Sequence, residues 1–76
     1  HDNELNRLHA PEVVEEGMAQ LIIYGILSHM PDFVGFAIRQ ISNRSSRLPK
    51  HWRHMALSLM PLRVNKAVLL RATRMR

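Results

Sequence analysis

Seventy-six residues make one small domain, spanning residues 1–76, and area scaling lets such a chain bury only about 63% of the surface its unfolded form exposes. The absence of cysteine excludes a disulfide framework and a thiolate zinc site, and a hydrophobic fraction of 46% argues against a disordered basic tail. The net charge of +5 averages two unlike parts: residues 1–32 hold one base, Arg7, against six acids, for −5, whereas residues 33–76 hold ten bases and no acid, for +10. Such asymmetry points to nucleic acid, an anionic surface or an acidic protein as partner.

The chain opens on His1 and therefore reads as a processed product or a piece of a longer protein. No apolar run approaches the ~20 residues of a membrane-spanning helix, and the acidic start lacks the basic region of a signal peptide. The sequence does not fix a compartment; a soluble intracellular chain is the expectation.

Four prolines divide the sequence. Proline is tolerated in the first turn of a helix, where its missing N–H has no intrahelical partner, and costs about 3 kcal/mol in a helix interior. Pro11, Pro31, Pro49 and Pro61 are each followed by ten or more residues of helical periodicity. The turn pairs of β-hairpins are absent. The expected fold is all-α: a compact bundle of four short helices over about 11–29, 32–43, 49–60 and 61–74. A short helical turn over Asn3–Leu8, capped by Asp2, precedes them.

The first helix carries Glu12, Glu15 and Glu16 in its opening turns, where carboxylates complement the helix dipole. From Met18 to Leu27 it is apolar on every side, the pattern of a central helix. Gly17, Leu21, Gly25 and Ser28 share one stripe, which suits close approach by another helix or a dimer seam. The second helix turns Phe33, Val34, Ala37, Ile38 and Ile41 to one face and leaves Phe36 on another. A polar loop, Ser42–Arg47, follows. The third helix places Trp52, Met55, Ala56, Leu59 and Met60 inward. The fourth places Leu62, Val64, Val68, Leu69, Ala72 and Met75 on a broad apolar side and Arg63, Lys66, Arg71 and Arg74 on a basic arc of about 140°, taking 100° per residue.

Catalysis finds little material. The acids are explained by helix starts, the three glycines are isolated within helical patterns, and no nucleophile has an oriented base beside it. His51 and His54 lie three apart, but Lys50 and Arg53 flank them with positive charge. No catalytic residue, metal ligand or cofactor is therefore expected. The five methionines sit mostly at core spacing.

What remains is a binding surface. Arg44, Arg47, Lys50, Arg63, Lys66, Arg71 and Arg74 are the candidate contacts, with Phe36 and Leu70 as spare apolar positions. Nucleic acid, DNA or RNA, is the first reading, because Lys and Arg contacts to phosphate supply most sequence-independent affinity. The segment from Phe33 to Met60 has the length of a helix-turn-helix, but its loop is too long and lacks glycine. Phe33, Tyr24 and Trp52 are expected to be buried, which leaves few aromatics for base stacking. The alternative reading is a helical adaptor or assembly subunit docking on an acidic protein, with self-association as part of that role. A third takes the last helix as a cationic membrane-surface helix.

Overall fold

The computed structural model of the chain describes residues 11–74. The helical turn expected over Asn3–Leu8 and the inward position of Met75 lie outside them. Four α-helices follow in order: α1 over Pro11–Leu27, α2 over Val34–Ser45, α3 over Lys50–Ser58 and α4 over Leu62–Arg74. No strand occurs among the described residues. The fold is the small all-α bundle that the proline spacing predicts.

Each proline marks its boundary. Pro11 opens α1 and Pro31 opens a 3-10 turn over Pro31–Phe33 that leads into α2. Pro49 is the N-cap of α3, with an extended ψ of 150°. The carbonyl of Pro61 accepts the N–H of Val64 at 2.9 Å and of Asn65 at 3.2 Å, so that it starts the ladder of α4. The first helix stops at Leu27, two residues early, because the N–H groups of His29 and Met30 tighten to i−3 carbonyls. Such 3-10 closure is a common way to satisfy the last carbonyls of a helix.

Packing runs α1 on α2, α2 on α4, α1 on α3 and α3 on α4. The core joins Leu21 of α1, Ile41 of α2, Leu48 of the loop, Ala56 and Met60 around α3, and Val64 and Val68 of α4. Burying a side chain such as Leu21, Ile41 or Val64, each 0% exposed, contributes about 1.5–3 kcal/mol. Ser28 and Ser45 are the buried polar residues. Both turn their hydroxyls to backbone carbonyls, Ser28 to Gly25 and Ser45 to Ser42, which satisfies their donors without breaking the core.

The glycine stripe of α1 faces inward as its spacing suggests. A Cβ on Gly17 would stand 2.9 Å from Leu48 Cδ2, and one on Gly25 would stand 3.4 Å from Met60 Cε. Both glycines exist where a neighbouring side chain lies on the helix backbone. The occupants are Leu48 and Met60 of the same chain, so this stripe is not a dimer seam.

Three expectations about the interior are overturned. The first helix is not buried all round: Ile22, Ile23 and Ile26 are exposed, although it packs on both α2 and α3. In α3 and α4, Met55, Leu59, Leu62 and Leu69 are exposed, as is Ala72. Phe33 is exposed as well, whereas Tyr24 and Trp52 are half-buried and pack against the core, Trp52 inward as expected. The physical reason is common to all. Apolar arcs much wider than 100° exceed the stripe a neighbour can cover, because each of these helices, 9 to 17 residues long, packs on only two others.

Candidate functional site

The basic residues differ in their surroundings. Arg44 is half-buried and works within the fold: its guanidinium donates to Gln20 Oε1 of α1 and, at 3.3 Å, to Gln40 Oε1. It also lies 5.1 Å from the centroid of the Tyr24 ring, a cation–π distance. Tyr24 in turn meets Phe36 edge-on, centroids 5.8 Å apart. Phe36 stays exposed beyond that contact. Arg63 reaches across to α1, where Nη2 donates to the Ser28 carbonyl at 3.2 Å. A cation there satisfies a terminal carbonyl and complements the negative end of the α1 dipole.

Arg71 is half-buried, and its Nε has no hydrogen-bond partner among the described residues. With Arg74, Leu70, Ala67 and Ile38 it lines a shallow groove between α4 and α2. Arg47 and Arg44 line another, with Glu16, Gly17 and Gln20 near the start of α1. Lys50, Lys66 and Arg74 are exposed. Arg47 thus sits beside Gly17 and Arg63 beside Ser28, about 16 Å apart along α1 at 1.5 Å per residue. Arg44 and Arg47 thus share one groove, and Arg71 and Arg74 share another.

A different surface is continuous. On α1, Glu12, Glu15, Ala19, Ile22 and Ile26 follow at spacings of three and four residues, with Glu16 and Ile23 on their flank. All seven are exposed. They form the face opposite Val14, Leu21 and Ser28, whose exposures are 4%, 0% and 0%. The outer face is acidic in its first turns and aliphatic thereafter. At its C-terminal end a cleft of about 200 Å³ separates α1 from the turn between α3 and α4, lined by Ile22, Gly25, Ile26, His29, Leu59 and Met60. Ile26 is 61% exposed and Leu59 66%.

The alternation of three and four that marks this face is present in the sequence. It was masked by the stretch from Met18 to Leu27, in which every side of the helix is apolar. No group of three or more metal-ligating side chains occurs among the described residues, and no described helix is long and apolar enough to cross a membrane. Comparison of the chain with family models, with curated proteins and with solved structures finds no match.

Proposed function

We propose that this chain is a non-enzymatic helical interaction module that docks on protein through the outer face of α1 and the adjoining turn between α3 and α4. The observation that carries this reading is the contiguous exposure of Ile22, Ile23, Ile26 and Leu59 around an apolar cleft. Scattered exposed apolar residues are ordinary, whereas a contiguous row rimmed by charge marks an interaction site. Aliphatic centre and acidic rim are the usual anatomy of such a surface. A photoreactive phenylalanine analogue at position 26, introduced into the full chain in its own cell, tests it. Protein adducts are expected at position 26 and not at the exposed control position 39. No adduct at position 26 would overturn the reading.

Nucleic acid is kept as a second reading on one observation, that Arg39, Arg47, Lys50, Lys66 and Arg74 are exposed in a segment without a single acid. Anisotropy titrations with duplex and single-stranded probes discriminate the two. Binding whose affinity falls by roughly 0.9 log unit per log unit of salt for each duplex phosphate contacted, and which survives Ile26→Glu, would transfer the assignment to nucleic acid.

A further inference from the structure

Resting on the reading of the α1 outer face as an interaction surface, we infer that its occupant is a second copy of this chain, paired antiparallel through α1. Residues 12, 15, 19, 22 and 26 follow the three-four alternation of one helix face, with 16 and 23 in a flanking position. In the free chain this seam has Glu12, Glu15 and Glu16 at one end and Ala19, Ile22, Ile23 and Ile26 along the rest, all exposed. Beyond Ile26 stand His29, also exposed, and the guanidinium of Arg63 on the Ser28 carbonyl.

Charge decides the orientation. A parallel pair would place three carboxylates directly against the same three carboxylates, and like charges across an interface select against that arrangement. An antiparallel pair, with its twofold axis between Ile22 and Ile23, sets Ala19 opposite the partner's Ile26 and brings the isoleucines into one layer. Glu16 lies about 10 Å before that axis and position 29 about 10 Å beyond it at 1.5 Å per residue. The acidic start of each helix therefore meets the end of the other at which His29 stands exposed. The same contact occurs twice by symmetry, as a closed isologous dimer requires. The cleft beside Ile22 and Ile26 then receives partner side chains along the seam edge.

Sedimentation of the purified chain from about 1 µM to about 1 mM, the span in which interfaces of modest size associate, is expected to show a reversible monomer–dimer equilibrium. Ile22→Glu and Ile26→Glu should each weaken dimerisation about tenfold or more with helix content by circular dichroism unchanged, since neither side chain is in the core. Glu16→Arg, outside the aliphatic row, should weaken it less and through the same interface. Orientation is read by mixing Glu16→Cys chains with His29→Cys chains, which is straightforward in a chain without cysteine. Mixed 16–29 adducts are expected; 16–16 adducts in their place would overturn the antiparallel pairing. A chain that stays monomeric throughout would overturn the inference. The position-26 photoadduct separates that failure from failure of the parent reading. An adduct of twice the chain mass supports self-pairing, and an adduct with another protein overturns self-pairing alone. An adduct of unchanged mass, within one chain, overturns both.

Discussion

The two faces of α1 are made from different residues and are finished differently. The inner face holds Gly17, Leu21, Gly25 and Ser28, and Leu48 and Met60 lie directly on the helix backbone there. The outer face holds Ile22, Ile23 and Ile26, larger and more apolar, yet exposed. Hydrophobicity alone would bury the isoleucines first. Shape decides otherwise: two glycines allow close approach, which brings more atoms into contact than branched side chains held at arm's length. On the proposed reading, a helix apolar on every side serves two interfaces, one within the chain and one outside it.

The contrast breaks most visibly at the inner face. Leu21→Ala removes a fully buried side chain, and a loss of about 2–5 kcal/mol is expected, enough to unfold much of so small a domain; chemical denaturation at low concentration measures it. Gly25→Leu comes next. Its Cβ would already stand 3.4 Å from Met60, and the rest of the side chain has to displace that residue, for about 1–3 kcal/mol of overpacking. Arg44→Ala should cost roughly 1 kcal/mol, from the cation–π contact with Tyr24 and the bonds to Gln20 and Gln40, seen as a lower midpoint without loss of dimer. Ile23→Ser at the outer face is expected to move monomer stability by no more than about 0.5 kcal/mol while shifting the monomer–dimer equilibrium. A large loss of monomer stability in that variant would mean that the outer face is core.

The fold was legible because proline and turn chemistry act locally. Pro11, Pro31, Pro49 and Pro61 set four starts, whereas the Ser42–Arg47 segment, a loop by its composition, is helical over its first four residues because α2 runs to Ser45. The inward stripe of α1 was legible too, since glycine spacing records close approach. Less could be read of which apolar arcs are covered. Met55, Leu59, Leu62 and Leu69 lie on arcs that face inward by periodicity, but coverage depends on how many neighbours each helix has, which is a tertiary quantity. Two of the basic residues also serve the fold. A guanidinium is long enough to serve the fold, and Arg44 and Arg63 are spent on Gln20, Tyr24 and the Ser28 carbonyl, contacts from 20 to 35 residues away in sequence.

The most direct test of the account is the concentration dependence of folding stability in the native chain and in Ile26→Glu. Because dimerisation binds only the folded state, stability should rise with protein concentration by mass action, and the denaturation midpoint of the native chain is expected to climb steadily from low to high micromolar concentration. The midpoint of Ile26→Glu should stay constant and match the native value at the dilute limit. A native midpoint independent of concentration would contradict the two-interface account of α1, and so would a midpoint that climbs equally in both chains.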